Sequence, residues 1–157
     1  YANCFITSPT YYDKESKLSY NGGCLPEKNF GMDVALNLEG DVCVESILDA
    51  AILLKKKDII ELGLYDENFF LYLENSDLCL RVNSGGGSVF VIPTSKINHV
   101  GAKTVDSKYR NEVELSRNWH WIWSKFYFNK KHFGLFKAIK QGVLTCFFSI
   151  LKSFLYY

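Results

Sequence analysis

Residues 69–81, with the sequence FFLYLENSDLCLR, constrain the fold of this 157-residue chain more than any other segment. Five aromatic or aliphatic residues are followed by a short helical pattern over 77–83, which stops at the glycines 85–87. Glu74, Asn75 and Asp77 therefore lie where an apolar element meets a helix N-terminus, at which the helix dipole favours anions. This placement suits a reaction centre. It equally suits a structural helix start, with Asn75 or Ser76 as N-cap and Asp77 as a first-turn acid.

Three further apolar segments predict strands. Residues 4–7 form a short buried strand that the turn at Ser8 and Pro9 ends, and residues 88–92 form a second one that Pro93 ends. Residues 42–55 form the third strand region, and Asp49 interrupts its apolar run. A buried acid without partners is costly, so Asp49 is exposed at an edge, paired or functional.

The segments between these strands contain turn signals and one short helix. Residues 11–41 are polar and Gly-rich, and predict a long surface segment in which the turn at 21–23 closes a small hairpin with residues 17–20. Residues 57–62 form a short helix that Gly63 ends. We expect Phe69 and Phe70 to pack in the core. Residues 94–106 form a loop.

The C-terminal part of the chain has a different composition. From residue 108 the pattern is helical and very aromatic, and Gly134 and Gly142 interrupt it. Residues 1–114 hold all 17 acidic residues against 11 basic ones, a net charge of −6, whereas residues 115–157 hold seven basic residues and no acid. Such asymmetry predicts an anionic partner for the tail, either a membrane surface or an acidic face of the same protein.

The cysteines and the chain ends add little. Five cysteines are scattered without a Cys-x-x-Cys pair, which favours reduced thiols in the cytosol over a disulfide framework or a zinc cluster. The chain begins with Tyr1 and its single methionine is Met32, so we expect a fragment of a longer protein. Residues 85–88, Gly-Gly-Gly-Ser, follow a helix and precede a strand, and so form a connection, not a phosphate loop.

Several motifs in order resemble a known enzyme family. Residues 49–57 (DAAILLKKK), residues 62–81 (LGLYDENFFLYLENSDLCLR), Pro93 and residues 99–101 (HVG) resemble the C-terminal half of a family 2 glycosyltransferase of the rhamnosyltransferase type. The resemblance runs from about residue 5 to residue 105. It implies a partial GT-A fold, an α/β mixed sheet with C-terminal helices. Residues 1–107 would be the acceptor-side half of that domain, and residues 108–157 a basic, aromatic helical tail.

The resemblance implies a reaction and a set of partners. Enzymes of this family transfer a sugar from a nucleotide-diphosphate donor to a saccharide or lipid-linked acceptor, usually with inversion, in polysaccharide biosynthesis at the cell envelope. A divalent metal, Mg²⁺ or Mn²⁺, assists the departing diphosphate, and its main ligands would lie upstream of this chain. The reaction also needs a general base for the acceptor hydroxyl.

The family's Glu-Asp-x-Asp motif corresponds to Glu74, Asn75, Ser76 and Asp77. Its general base is usually the second acid, and here that residue is Asn75, whose amide cannot accept a proton at neutral pH. Either Asp77 or Glu74 has then taken over the base role, with Asp77 preferred, or the chain is catalytically weak. Arg81, one turn after Asp77, offers an i,i+4 ion pair that favours a structural role for Asp77.

Four further residues are candidate site residues. Asp49 stands where the family usually has glycine and is a candidate for binding acceptor hydroxyls. Tyr72 lies alongside the acidic cluster at 74–77 and could equally pack in the core or contact a sugar face. His99 is a candidate metal ligand, although one imidazole cannot hold Mg²⁺ or Mn²⁺ alone. Lys103 is a candidate for binding diphosphate, although a solvent-exposed charge is the simpler interpretation.

The tail leaves two interpretations open. Residues 143–151 are apolar but too few for a span, which needs roughly 20 residues. Residues 135–157 either lie as a helix in the membrane interface, making the protein peripheral on the inner face of the cell membrane, or cover the half of the domain that would lie upstream of this chain. The competing functions are an inactive glycosyltransferase-like binding module and a membrane-peripheral adaptor. No RNA-binding signature is present, and we expect no nucleic-acid partner.

Overall fold

The computed structural model describes residues 3–20, 22–23, 40–100 and 107–143. The chain forms two compact units: Tyr1–Glu67 with Glu74–Thr104, and Asn68–Leu73 with Val105–Tyr157. The change of composition near residue 108 thus falls close to a boundary between units. Residues 68–73 belong to the second unit, and the predicted division into residues 1–107 and 108–157 stays a prediction.

The first unit contains a five-stranded mixed sheet, which confirms the predicted α/β class. Strand β1 pairs in parallel with β5 and antiparallel with β2 and β4, and β3 pairs antiparallel with β5. The elements of this unit are β1 (Cys4–Tyr12), β2 (Leu18–Tyr20), β3 (Val42–Val44), β4 (Leu53–Leu54), α1 (Lys56–Glu61), α2 (Glu74–Ser84) and β5 (Ser88–Asn98).

Two prolines that were expected to end strands lie inside them. β1 runs through Pro9 and β5 runs through Pro93. Along their parallel ladder, Pro9 pairs with Ile92, and the next pair is Thr10 with Lys96. The ladder therefore skips residues 93–95 at the place where both prolines lie. Because the ladder is irregular at this place, it does not need the N–H donor that each proline lacks, and both strands continue beyond it.

The hairpin also differs from its prediction. β2 pairs with the end of β1 through a turn over residues 13–17, not through the glycines that follow β2. The Asp13 carboxylate accepts hydrogen bonds from the amides of Glu15 and Lys17, and Ser16 has a φ of 59°. This is the local side-chain bonding by which aspartate stabilises turns. Most of the predicted surface segment, residues 24–39, lies outside the described residues.

Helices α1 and α2 and the sheet share one apolar core. Ile6 of β1 and Val89 and Val91 of β5 meet residues from both helices, and the alternation of buried residues along β5 shows which face of the sheet turns inward. The fully buried members of this core are Ile6, Ile47, Ile59, Leu78, Cys79, Val82, Val89 and Val91. The predicted helix ends are confirmed: α1 ends before Gly63, which has a φ of 91°, and α2 ends before Gly85.

The second unit is built on α3 (Arg110–Phe133), which confirms the predicted C-terminal helix. A short 3-10 turn, Ser107–Tyr109, precedes α3, Gly134 ends it, and residues 135–143 are again helical. Within this unit α3 packs against residues 68–73. Phe69 is buried against the ring of Tyr127, whereas Phe70 is exposed and lies beside His120, so the expectation of a core position holds for Phe69 and is wrong for Phe70.

Over the part of the chain that is described, no helix is both long enough and apolar enough to cross a membrane. Cys4, Cys43 and Cys79 are free thiols, and Cys24 and Cys146 lie outside the described residues.

Candidate functional site

The connection between β3 and β4 carries Asp49 and is hydrogen-bonded to the side chain of Tyr11. The Tyr11 ring is fully buried, and its hydroxyl lies 2.8 Å from the Leu48 carbonyl oxygen and 2.6 Å from that of Ala51. The same hydroxyl accepts a hydrogen bond from the Ala51 amide at 3.0 Å. Backbone groups on both sides of Asp49 are therefore bonded to one buried side chain, which fixes the loop that presents this carboxylate.

The start of α2 is tied to the same connection. The Asn75 side-chain amide donates a hydrogen bond to the Ile47 carbonyl oxygen. The Ser76 hydroxyl lies 3.4 Å from the hydroxyl of Ser46, and both serines are buried. These bonds join residues that are 28 and 30 positions apart in the sequence, and they bring the first turn of α2, with Glu74, next to the loop that carries Asp49.

Glu74 and Asp49 form an acidic pair in this place. Burial raises the pKa of Glu74, a hydrogen bond from its own backbone amide lowers it, and the charge of Asp49 raises it further. Burial likewise raises the pKa of Asp49, against hydrogen bonds from its own backbone and from the Tyr65 hydroxyl. The Oε2 atom of Glu74 is buried and has no hydrogen-bond partner. Glu74 is thus a carboxylate of raised basicity with one oxygen left for a proton from outside.

Tyr65 and Cys79 complete the surroundings of the acidic pair. Tyr65 packs against the core, and burial together with the Asp49 charge raises the pKa of its phenol, so it stays protonated and donates to Asp49. Burial raises the pKa of the Cys79 thiol to about 12, which keeps it protonated at neutral pH. A protonated thiol is neither a nucleophile nor a metal ligand.

Asp77, the preferred base of the sequence analysis, is placed differently from Glu74. Its side chain is 0% exposed, and Nε and Nη2 of Arg81 both lie 2.9 Å from its Oδ2. Arg81 also donates to the carbonyl oxygens of Leu62 (2.7 Å) and Leu64 (2.5 Å). The pair therefore joins α2 to the turn after α1. This geometry favours the structural interpretation of Asp77, and its role as a base stays a prediction.

His99 lies beside Tyr11, the residue whose hydroxyl is bonded to the Asp49 loop. Its amide donates to the Tyr12 carbonyl oxygen at 2.8 Å, and its exposed ring meets the Tyr11 ring edge to face, with centroids 6.0 Å apart. Lys103, the candidate diphosphate ligand, lies outside the described residues. Tyr72, the candidate sugar contact, belongs to the second unit, where its ring meets that of Trp121 edge to face at 5.5 Å.

The described residues do not fit a metal ion. Within them, no group of three or more His, Cys, Asp or Glu side chains is arranged as a ligand set. Neither His99 nor the Asp49–Glu74 pair therefore makes a divalent metal site from this part of the chain, and a metal would have to be held mainly by other residues.

Sequence reasoning did not identify Tyr65 and Tyr11 as members of the site. Tyr65 occurs in the motif that carries the family resemblance, but its side chain was not singled out. The sequence predicts a surface segment at Tyr11. Its burial follows from hydrogen bonds to residues 48 and 51, which are far from it in the sequence.

No family model matches this chain, and no curated protein matches it. Among solved structures, the chain is similar to the crystal structure of GalNAc-T7 with UDP, GalNAc and Mn2+, at 14% sequence identity and a TM-score of 0.45. The match covers 80% of this chain and 28% of the length of GalNAc-T7. At this identity and TM-score the likeness establishes neither a shared GT-A fold nor a shared activity, and both stay proposals.

Proposed function

We propose that the chain is the acceptor-side part of a GT-A glycosyltransferase in which Glu74 is the general base. The observation that carries this proposal is the buried, unpartnered Oε2 of Glu74 at the start of α2, beside Asp49. A carboxylate with a raised pKa is a better base near neutral pH than an ordinary one. A rigid helix start also fixes its position relative to a bound alcohol.

The reaction assigned to this site is a single displacement. The acceptor hydroxyl oxygen forms a bond to the anomeric carbon of the donor sugar while the bond from that carbon to the diphosphate oxygen breaks. Glu74 takes the hydroxyl proton, and the nucleoside diphosphate leaves with the electron pair of the broken bond. In-line attack on one face inverts the anomeric centre. A bound divalent metal would supply charge stabilisation to the leaving diphosphate.

The neighbouring residues have supporting roles in this proposal. Asp49, fixed by Tyr11 and hydrogen-bonded by Tyr65, would accept hydrogen bonds from acceptor hydroxyls. Asn75 and Asp77 are positioning residues, because the first bonds to the Ile47 carbonyl and the second pairs with Arg81. In this proposal the general base is Glu74, one position before Asn75, where the resemblance expects the base.

Several finer features depend on this proposal. They are membership of family 2, a hexosyl or rhamnosyl donor, a saccharide or lipid-linked acceptor, and a cytoplasmic location at the inner face of the cell membrane. His99, Lys103 and Tyr72 remain candidates for metal, diphosphate and sugar contacts, on the resemblance alone.

A second candidate function is a catalytically weak module that binds sugars. Asn75 favours it, since an amide stands where the resemblance expects the base, and that amide is bonded to a backbone carbonyl. The two functions differ in turnover and share a requirement for Asp49.

The test measures transfer and hydrolysis of a panel of nucleotide sugars with Mn²⁺ by the full-length gene product that contains this chain. Glu74→Gln should lower turnover about 10²–10⁴-fold, the usual effect of losing a general base. Glu67→Gln is the matched control, because Glu67 is an exposed acid of the same unit. Unchanged turnover in Glu74→Gln refutes the base assignment. Sugar binding without turnover in the unmodified protein favours the binding module.

A further inference from the structure

Helix α3 has two apolar sides, and the second unit uses one of them. Ser124 and Phe128 are fully buried, and Ser124 Oγ donates to the Leu71 carbonyl oxygen at 2.7 Å. On the same side, His120 and Tyr127 contact the rings of Phe70 and Phe69. This side of α3 is therefore occupied by residues 68–73.

The opposite side carries a second apolar stripe. Leu115, Trp119, Ile122 and Phe126 follow one another at intervals of four, three and four residues, which places them on one line along a helix with roughly 100° per residue. The line lies about half a turn away from Ser124 and Phe128 by the same rule. Leu115 is 71% exposed, Trp119 68% and Ile122 55%. We call these four residues the outer stripe.

Charge indicates what covers the outer stripe. From residue 115 onward the chain has no acidic residue and seven basic ones. Lys125 and Lys130 flank the stripe on its two sides by helical spacing, and Lys130 is exposed. An apolar line with an indole ring and basic flanks is the composition of helices that lie in the interface of an anionic bilayer.

A second copy of the chain is a poorer occupant for the same reason. Pairing two outer stripes would bring the lysines of both copies together, and the two acids of α3, Glu112 and Glu114, both lie in its first turns, before the stripe begins. An acidic lipid surface satisfies both the apolar and the cationic parts of this face at once.

We propose that the outer stripe of α3 docks the protein on an anionic membrane surface, with Trp119 at its centre and Lys125 and Lys130 at lipid headgroups. This site is distinct from residues 135–157, for which the sequence predicts the same partner as one of two alternatives. It does not depend on the proposed glycosyl transfer.

The experiment is co-sedimentation of the whole chain with vesicles of phosphatidylcholine, with and without phosphatidylglycerol. Binding should require the anionic lipid and should fall steeply at about 1 M salt, where the Debye length is ~3 Å. The triple variant Leu115→Ser, Trp119→Ser, Ile122→Ser should bind about 100-fold more weakly, because each side chain has half or more of its surface free to enter the interface. Lys130→Gln should weaken binding about fivefold, the usual effect of one near-surface cation.

The matched control is Leu53→Ser, which removes an equally exposed leucine, 73% exposed, from the first unit. It should bind like the unmodified chain, and circular dichroism confirms that each variant is folded. A chain that keeps Trp119 as its only tryptophan should show a blue-shifted emission on anionic vesicles. A chain that keeps only Trp121, which packs on Tyr72, should show a smaller shift.

Four results would overturn the proposal: no binding at low salt, equal binding to neutral vesicles, equal loss in Leu53→Ser, or a triple variant that binds normally. A photo-crosslinker at position 119 separates the other occupants. Capture of lipid supports the proposal, whereas capture of a second copy or of residues 144–157 in the presence of vesicles refutes it.

Discussion

The ion pair between Asp77 and Arg81 allows a test that separates a structural acid from a catalytic one. Asp77 is 0% exposed and Arg81 is 18% exposed, so the two charges are screened very little by water. Removing one partner from a buried pair typically costs about 3–5 kcal/mol, because the other charge is left unpaired. The two partners are nevertheless not equivalent in this structure.

Arg81 keeps two acceptors after Asp77→Asn, namely the carbonyl oxygens of Leu62 and Leu64. The neutral asparagine also still accepts a hydrogen bond from Arg81. We therefore expect Asp77→Asn to lower the free energy of unfolding by about 2–3 kcal/mol, below the usual range for a broken buried pair. Arg81→Met removes both the cation and the bonds to residues 62 and 64, and should cost about 4–5 kcal/mol.

The double variant Asp77→Asn, Arg81→Met distinguishes a structural from a catalytic role of Asp77. With both charges absent, no uncompensated charge remains in the core, so its cost should fall short of the sum of the single variants by about 2–3 kcal/mol. Such a coupling energy belongs to a pair that acts as a unit. A catalytic acid that only happens to lie near Arg81 would give nearly additive costs.

The assay needs a reporter in the first unit, because all three tryptophans lie in the second. Cys79 serves this purpose, since it lies in α2 next to the pair and is buried in the core. Its labelling by a short pulse of alkylating reagent across a urea series, measured on the Cys79 peptide by mass spectrometry, follows unfolding of this unit. Additive costs, or an Asp77→Asn variant within about 0.5 kcal/mol of the unmodified chain, would refute the structural role.

Three other substitutions follow from single contacts. Glu74→Gln should stabilise the chain at pH values above the usual glutamate pKa. Because the pKa of Glu74 is raised in the folded chain, the native state binds more protons than the unfolded state between the usual and the raised pKa, and the free energy of unfolding falls as the pH rises through this interval. The urea midpoints at pH 5 and pH 8 should therefore differ less in the variant than in the unmodified chain. Gly87→Ala should destabilise by about 1–3 kcal/mol, because the added Cβ would lie 2.6 Å from Phe5 Cδ2, whereas Gly142→Ala, which meets nothing within 4 Å on a helix, should be neutral or stabilising in thermal melts. Ser124→Ala should cost about 1–2 kcal/mol through the lost bond to the Leu71 carbonyl, and hydrogen exchange of residues 68–73 should speed up; protection equal to that of the unmodified chain would contradict the anchoring role.

The helices were predictable from sequence because their signals are local. The apolar periodicity of α2 and α3 and the glycines at 63, 85 and 134 define elements whose C-terminal ends the structure confirms. The predicted start of α2 is wrong, because the helix begins at Glu74 and includes Asn75 and Ser76, the two predicted N-cap residues. The strand ends were not predictable in this way. Pro9 and Pro93 each predict a strand end when one strand is considered alone. In the structure both prolines lie at the irregular part of the β1–β5 ladder, which depends on how the two strands pair and cannot be seen in either strand alone. Phe70 shows the same limit, because the aromatic pattern does not specify which of two adjacent rings a helix far along the chain will cover.

The candidate site shows this difference between local and long-range information at the level of single residues. Glu74, Asn75 and Asp77 are three polar residues of one helical turn, and the sequence alone gives no reason to rank Glu74 first. The ranking comes from their partners: Asn75 bonds to the Ile47 carbonyl, Asp77 pairs with Arg81, and Glu74 keeps one buried oxygen without a partner beside Asp49. A buried polar atom of this kind costs free energy in the folded chain. Because this oxygen lies at a helix N-terminus next to a second acid, we propose Glu74, and not Asn75 or Asp77, as the residue that takes the proton of a bound hydroxyl.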